Sequence, residues 1–287
     1  MKYLILLAAV VLGSCSVKVH YDDSLFEQSK GMGLLENDDI NEASGLEASQ
    51  VNPGLLWTHN DSGDTSRLFL IRENGESVKE FYLKGIKSRD WEDIGVGPGP
   101  EENSSYVYVA EIGDNRAIYE DKYIYRFKEP QKNASTLIEE FDIIEFRYPN
   151  GNRDAECLMV DPSTKDLYII SKREQSVNVY QMPYPQRSDT VNTLITLGTI
   201  PYHKIIAGDI SADGTEIILK TYDEILYWKR DTKEPVYEVL SKPATFIPYV
   251  REPQGEAMAW KYDGSGFYTL SEEPDEIEAQ VYFYKRK

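Results

Sequence analysis

Four acidic residues and one serine recur at the same place in five short, similar phrases of the sequence, and together they suit calcium. Each phrase carries Gly, Ala or Trp near this residue and continues into an apolar stretch. The recurring residues are Ser44, Glu92, Glu156, Asp209 and Glu256. No Cys or His joins them, and oxygen ligands alone suit Ca²⁺ better than zinc or copper. We therefore predict a bound calcium ion, provided that the fold brings these residues together.

A second set of polar residues lies next to the phrases or at the end of the apolar stretch that follows them. Six cations of this set are candidates for binding a phosphate or carboxylate ligand: Arg89, Arg116, Arg153, Lys172, Arg173 and Lys220. Asp61 and Asp114 are candidates for orienting a water molecule. The alternative is that the cations pair with Asp90, Asp154 and nearby glutamates. For His59 we predict a packed turn residue and not a base.

These residues are carried by repeats of roughly 45 to 65 residues, each predicted to be a meander of antiparallel strands. Each phrase opens a first strand. The predicted second strands are Leu55–Thr58, Tyr106–Val109, Leu167–Ile170, Glu216–Leu219 and Gly266–Thr269. The predicted third strands are Arg67–Ile71, Tyr123–Phe127, Val177–Tyr180, Ile225–Trp228 and Val281–Tyr284. This pattern predicts an all-β, five-bladed β-propeller, in which the starts of strands one and the ends of strands two share one end of the central channel.

Two other architectures compete with the five-bladed ring. Six blades would account for extra strand-like sequence between Glu92 and Glu156 and from Asn192 to Tyr202. A β-sandwich would not restart one phrase five times. Because the last repeat ends after three strands, we expect the N-terminal segment near Val17–His20 to supply the strand that closes the ring.

The N-terminus has the pattern of an exported protein. Lys2 precedes an apolar run from Leu4 to Leu12, which is too short to span a bilayer and predicts a signal peptide over residues 1–14. The sequence Leu12-Gly13-Ser14-Cys15 resembles the lipobox of bacterial lipoproteins, which implies lipidation of Cys15. The alternative is an ordinary signal peptide. We expect an N-terminal segment at 15–41, a propeller at 42–287, and a lipid-anchored protein of the outer membrane or cell surface.

The charge of the chain restricts its partners. Removing the signal peptide leaves 30 Lys and Arg against 49 Asp and Glu, a net charge of −19. An acidic surface repels nucleic acid and attracts divalent cations. Cys157 is the only other cysteine, so no disulfide is expected once Cys15 is lipidated. We expect a monomer that contacts the membrane through its anchor alone and takes an anionic small molecule or an extracellular polymer.

The five recurring residues resemble the axial pattern of the five-bladed calcium-dependent nucleotidases, or apyrases, which is Ser, Glu, Glu, Ser and Glu in blade order. Here the fourth residue is Asp209 in place of serine. The resemblance covers the five phrases only and implies that these residues form the calcium shell. The phrases are also similar to those of β-propeller phytases, which have six blades and use calcium and carboxylates on phosphate esters.

Two functions from different classes remain open. One is a calcium-dependent hydrolase of phosphate esters or anhydrides, and the other is a non-catalytic binding propeller for a glycan, peptide or protein. The acids also have a purely structural interpretation, in which buried carboxylates accept backbone N–H groups of neighbouring blades. Gly95-x-Gly97-Pro98-Gly99 is predicted to be a turn and not a dinucleotide site, because no helix follows it.

Overall fold

The chain forms a five-bladed β-propeller. The computed structural model describes residues 20–287 and contains five β-sheets of four or five strands each. The predicted signal peptide, Cys15 and residues 17–19 lie outside the described residues. Within the described residues, no helix is long and apolar enough to cross a membrane.

Each blade is a meander of four antiparallel strands. The strands of blade 1 are β2 (Ala43–Ala48), β3 (Leu55–Asn60), β4 (Arg67–Arg72) and β5 (Ser77–Leu83). Those of blade 2 are β6 (Trp91–Pro98), β7 (Ser105–Glu111), β8 (Lys122–Lys128) and β10 (Asp142–Arg147). Those of blade 3 are β11 (Ala155–Val160), β12 (Leu167–Ser171), β13 (Val177–Met182) and β15 (Ile195–Ile200). The predicted second and third strands of these three blades are confirmed.

Blades 4 and 5 follow the same plan with shorter strands. The strands of blade 4 are β16 (Ala207–Ile210), β17 (Glu216–Lys220), β18 (Ile225–Lys229) and β19 (Thr245–Ile247). Those of blade 5 are β20 (Ala257–Trp260), β21 (Gly266–Leu270), β22 (Gln280–Lys285) and β1 (Lys30–Leu34). A short helix, α1 (Val236–Leu240), precedes β19, and a 3₁₀ turn (Pro274–Glu276) precedes β22.

The first strands of the blades form the inner ring. Each contacts the first strand of the next blade, and β20 of blade 5 contacts β2 of blade 1, so the ring is closed. Every residue of β2, β11, β16 and β20 is buried. Apolar side chains of neighbouring blades pack between the sheets, and Cys157 lies there as a free, buried thiol. The polar residues at the strand ends are thereby held on a rigid inner ring.

The N-terminal segment closes the ring as predicted, but the predicted location of the closing strand is wrong. The outer strand of blade 5 is β1 (Lys30–Leu34), which pairs antiparallel with β22. His20 lies outside any strand. The residues after it run between blades 4 and 5, where Tyr21 forms an isolated β-bridge with Phe246 and Phe26 forms one with Arg286. Gly31 and Gly33 interrupt the alternation of β1, which therefore has no clear strand pattern in the sequence.

The six-bladed alternative is wrong, because the extra strand-like sequence extends existing blades. After Glu92, the additional segments are β10, the outer strand of blade 2, and β9 (Leu137–Ile138), which pairs parallel with β5 of blade 1. In the second region, β14 (Asn192–Thr193) pairs parallel with β10, while β15 is the outer strand of blade 3.

Phe26 anchors the N-terminal segment between blades 4 and 5. Its side chain is 2% exposed, and its ring centroid lies 5.0 Å from that of Phe267 and 5.9 Å from that of Tyr227. Replacing Phe26 by Ala should lower the free energy of unfolding by about 3–5 kcal/mol in urea denaturation, because it removes a packed ring and leaves a cavity. The control Tyr21→Ala, at a 42% exposed residue, should cost less than about 1 kcal/mol. Equal, small losses would show that the segment is not anchored by Phe26.

Candidate metal centre at the mouth of the propeller

Four of the five predicted calcium ligands share one position at the end of the channel where strands one begin and strands two end, which we call the mouth. The pairing between strands one and two skips one residue in each of blades 1 to 3, and the skipped residues are Ser44, Glu92 and Glu156. Glu256 directly precedes β20 and corresponds to them in blade 5. These β-bulges turn the side chains toward the mouth.

The predicted equivalence of Asp209 is wrong. In blade 4, Ala207 lies opposite Lys220 and Asp209 lies opposite Ile218, so Asp209 is further along the first strand, away from the mouth. The corresponding mouth position is the buried Ile206. The Asp209 carboxylate accepts the Trp260 N–H, with an O–N distance of 2.7 Å. Asp209 therefore connects blades 4 and 5. This is the structural role considered for the acids, in which a buried carboxylate accepts a backbone N–H of a neighbouring blade.

Ser44 also has a structural contact. Its hydroxyl donates a hydrogen bond to the Glu92 main-chain oxygen at 2.7 Å and so connects blade 1 to blade 2. Of the four predicted acidic ligands, three therefore lie at the mouth: Glu92 in blade 2, Glu156 in blade 3 and Glu256 in blade 5.

The carboxylates of five residues come together at the mouth, and we call them the mouth cluster: Asp61, Asp90, Glu92, Asp154 and Glu156. They form two groups of three that share Glu92. Asp61 and Asp90 make up the first group with Glu92, which we call the lateral group. Asp154 and Glu156 make up the second group with Glu92, the central group. In each group, one carboxylate oxygen of every residue lies within 4.8 Å of the others.

Glu92 is a buried acid at the centre of the cluster, and the charge of Lys172 only partly offsets the effect of its acidic neighbours. It is 2% exposed, and among the described residues we find no hydrogen bond to its carboxylate. Burial, followed by the nearby charges of Glu156, Asp61 and Asp90, raises its pKa well above the usual value. A buried carboxylate without hydrogen bonds is costly unless a cation compensates it.

The lateral group as a whole has no ion pair among the described residues. One carboxylate oxygen of Asp61 is buried and has no hydrogen-bond partner within residues 20–287. Burial and the neighbouring Asp90 raise the pKa of Asp61 to about 7. Burial and Asp154 also raise the pKa of Asp90, although the nearby cations Arg89 and Lys122 act against this rise. The lateral group is therefore a set of three carboxylates without a direct ion pair in the described part of the chain.

The central group is partly compensated by protein cations. Lys172 forms an ion pair with Glu156, and Arg173 forms one with Asp154. Asp154 also accepts the Asp114 N–H at 2.8 Å. The second carboxylate oxygen of Glu156 is buried and has no hydrogen-bond partner in the part of the chain that the structure describes, and burial raises the pKa of this residue despite Lys172.

Glu256 belongs to a separate network on the other side of Lys172. It accepts a hydrogen bond from the Tyr222 hydroxyl, and the Lys172 amino group lies 5.3 Å from the Tyr222 ring centroid. Burial and the charge of Glu256 raise the pKa of Glu272 to about 9. Glu256 therefore already accepts a hydrogen bond within this network, from the Tyr222 hydroxyl.

Three of the six predicted ligand-binding cations have partners within the protein itself. Lys220 is fully buried, donates to the Gly255 carbonyl and lies 3.6 Å from Glu252. Arg89 stacks on Tyr119, with its guanidinium 4.2 Å from the ring centroid. Arg153 pairs with Glu174 at 3.3 Å. All three cations lie within 4 Å of a glutamate, as the alternative of pairing with nearby acids predicts, and their role as ligand contacts stays a prediction.

Of the other three cations, Lys172 and Arg173 contact the mouth cluster, and Arg116 lies in the loop after β7. Lys172 and Arg173 pair with acids of the cluster, and the Arg173 side chain remains 52% exposed. Arg116 is exposed and has no ion pair within the described chain. Arg116 and Arg173 are therefore the cations best placed to meet a ligand from solvent.

Asp114 is not available to orient water. Its side chain is buried and accepts the N–H groups of Ile118 at 2.9 Å and Tyr119 at 2.8 Å and the Lys122 amino group at 3.0 Å. Burial acts to raise its pKa, but these hydrogen bonds lower it. Asp114 thus holds the loop after β7, and its prediction as a catalytic residue is wrong.

His59 is packed, as the sequence predicts, but it lies in strand β3 (Leu55–Asn60) and not in a turn. It is fully buried, its Nδ1 lies 2.9 Å from the Asn60 carbonyl, and its ring meets the Trp91 ring edge-on at 5.8 Å. Burial lowers its pKa to about 4.

The sequence interpretation missed Asp90 and Asp154 as members of the site. Each precedes the phrase glutamate of its blade by two residues, and each was assigned only as a partner for cations. This shared spacing in blades 2 and 3 is the signal that identifies them. The site also requires glycine at position 113, because a Cβ there would lie 2.1 Å from one Glu92 oxygen and 2.5 Å from one Asp90 oxygen.

Deeper in the channel, Glu47 and Asp209 form a second acidic contact. Burial raises the pKa of both, that of Asp209 to about 7, and the nearby charge of Asp209 adds to the rise at Glu47. Because the usual Asp value is 3.8, the folded protein binds more protons than the unfolded chain between about pH 4 and 7. This contact therefore stabilises the fold at low pH and loses that effect as pH rises through about 7.

Replacing Glu47 by Gln should raise the free energy of unfolding at pH 8 by about 1 kcal/mol or more, with a smaller gain at pH 5. The amide keeps the acceptor for the Ala48 N–H, which lies 2.8 Å from Glu47, and offers Asp209 a donor. Chemical denaturation at the two pH values measures the difference. The exposed control Glu102→Gln should change neither value. A larger gain at pH 5 than at pH 8 would have the wrong sign.

Comparison with known proteins adds little to this geometry. No protein-family model matches the chain, and no curated protein matches it. A solved structure described as "Structure of Dos1 propeller" is similar at 11% sequence identity and a TM-score of 0.40, over 85% of this chain and 68% of that one.

Proposed function

We propose that this protein binds a divalent cation, calcium by its ligand chemistry, in the lateral group Asp61, Asp90 and Glu92, and uses it to bind an anionic ligand at the mouth. The observation that supports this most is the Glu92 carboxylate, which is buried, has no hydrogen bond from the described residues and is shared by two groups of acids. Hard carboxylate oxygens, without Cys or His, suit Ca²⁺. The proposal replaces the ring of five predicted ligands but retains Glu92.

The ligand that fits such a mouth is an anion such as a phosphate ester. When bound, calcium supplies positive charge for phosphate oxygens. The protein itself supplies Arg116 and Arg173 at the rim, and a guanidinium can donate two parallel hydrogen bonds to a phosphate. The free carboxylates of the lateral group would repel such a ligand in the absence of the cation, so ligand binding should depend on calcium.

Isothermal titration calorimetry with ATP and with inositol hexakisphosphate tests this function. With calcium, we expect binding that is lost in chelator and weakened by Arg116→Ala. The matched control is Arg187→Ala, at an exposed arginine that pairs with Asp189 away from the mouth. Binding that persists in chelator would contradict the proposal, as would a wild-type protein that binds no calcium.

Hydrolysis of the bound phosphate ester or anhydride is the second candidate function. The sharing of Glu92 by two carboxylate groups favours it, since hydrolases of phosphate esters often use paired metal sites. The engagement of Asp114 in loop contacts favours binding without turnover. Phosphate release from the same two ligands distinguishes the candidates: calcium-dependent release that Glu92→Gln abolishes supports hydrolysis, and calcium-dependent binding without release supports the binding function.

We further propose that the protein is exported and anchored as a monomer through a lipid on Cys15. The support is the apolar run and the residues 12–15 that resemble a lipobox. Cell fractionation should find the protein in the membrane fraction and the Cys15→Ser variant outside it. Membrane association of the variant equal to that of the wild type would contradict this proposal.

A further inference from the structure

The central group, Asp154 and Glu156 with Glu92, also consists of three carboxylates, but its charge balance differs from that of the lateral group. We propose that it binds a second divalent cation, more weakly than the lateral group does, and that Glu92 is a common ligand of both cations. This inference rests on the proposed function, since it presumes a first cation in the lateral group.

Two buried acids point to a ligand at this place. Glu156 is 4% exposed, and its second carboxylate oxygen is buried without a hydrogen-bond partner among the described residues. Glu92, equally buried, lies with its carboxylate oxygen within 4.8 Å of ligand oxygens from both Asp154 and Glu156. A carboxylate has about four acceptor positions, so the Asp114 N–H does not exhaust Asp154.

The protein cations beside the central group explain why its site should be the weaker one. Lys172 pairs with Glu156 and Arg173 pairs with Asp154, whereas residues 20–287 form no such pair with the lateral group. Lys172 and the second cation therefore compete for Glu156. Lys172 can also interact with a second set of residues. Its amino group lies 5.3 Å from the Tyr222 ring centroid, and the charge of Glu256 also acts on it. Its ammonium group can turn from Glu156 toward Glu256 when a cation binds.

If Lys172 competes with the second cation for Glu156, replacing Lys172 should strengthen cation binding, whereas replacing a residue that binds the cation should weaken it. Removing the charge of Lys172 should tighten the second binding event, because Glu156 loses its internal counter-ion. If Lys172 were instead a contact for the bound anion, the variant would leave calcium binding in the absence of that anion unchanged.

The test is calorimetric titration of the protein with calcium alone. We expect two binding events in the wild type. Asp61→Asn should remove the tighter event, Glu156→Gln should remove the weaker event, and Lys172→Gln should strengthen the weaker event by about fivefold or more. Lys128→Gln, which breaks an exposed pair with Glu101, is the matched control and should change neither event.

The results separate this inference from the proposed function. A single event that Asp61→Asn abolishes and Glu156→Gln preserves would overturn the second site and leave the first. No calcium binding in the wild type would overturn both. Two events with the weaker one unchanged or weakened in Lys172→Gln would overturn the competition. Circular dichroism of each variant establishes that it is folded before titration.

Discussion

Replacing Glu92 by Gln is expected to raise the thermal midpoint of the calcium-free protein and to abolish the further rise that calcium produces. Glutamine has nearly the same shape, but it removes the uncompensated charge of a side chain that is 2% exposed. The calcium-free protein therefore gains stability, while the cation loses the ligand common to both groups. In the wild type, calcium at 100 times its dissociation constant should add about 2.7 kcal/mol to the free energy of unfolding.

A matched control for this prediction is Glu252→Gln, at another buried glutamate in contact with a neighbouring blade. Glu252 accepts hydrogen bonds from Tyr249 at 2.6 Å and Thr269 at 2.7 Å and lies 3.6 Å from the Lys220 amino group. Its replacement should lower the midpoint and keep the rise with calcium. Differential scanning calorimetry in chelator and in calcium measures both effects. A Glu92→Gln protein that is less stable in chelator and still gains stability from calcium would contradict the account.

The second large effect is expected at a buried ion pair between blades 3 and 4. Arg230 and Asp161 lie 2.7 Å apart, and both side chains are almost completely buried. Arg230→Leu should lower the free energy of unfolding by about 3–5 kcal/mol, because the Asp161 carboxylate is left buried without its partner. Urea denaturation measures this loss.

Two further variants identify the cause of that loss. The double variant Asp161→Asn, Arg230→Leu should regain part of the stability, since no charge remains unpaired. Arg187→Leu breaks the exposed pair with Asp189 and should cost less than about 1 kcal/mol. A double variant that is less stable than Arg230→Leu would show that lost packing, and not the unpaired charge, causes the effect.

The inner three strands of every blade could be predicted from the sequence because they are buried and carry regular apolar patterns. The outer strands could not. β1 carries Gly31 and Gly33, and β9 and β14 have only two residues each, so edge strands of this kind leave a weak pattern. The count of blades was nevertheless correct, because it depends on the first strands.

The site was predicted less well than the fold, for two physical reasons. An acid next to a strand start was taken as equivalent in every blade, but the bulge that turns Glu92 and Glu156 toward the mouth is absent in blade 4, where Asp209 pairs regularly. Long cationic side chains reach several partners, and which one they take depends on packing between blades. Lys220 shows this, since a contact with the next blade buries it.

The placement of Asp90 and Asp154 depends on the same packing. In the sequence they are acids near arginines, and ion pairing explains them adequately. Only the fold brings Asp90 beside Glu92 over the bare Cα of Gly113 and shows that their oxygens converge there. Convergence of side chains from different blades is a property of the ring and not of any one repeat.

Anomalous diffraction from crystals grown with calcium, measured at long wavelength, tests the central claim most directly. The account predicts an anomalous peak at the mouth with carboxylate oxygens of Asp61, Asp90 and Glu92 at the usual calcium distance of about 2.3–2.6 Å. A calcium peak elsewhere, or no peak at the mouth at saturating calcium, would contradict it.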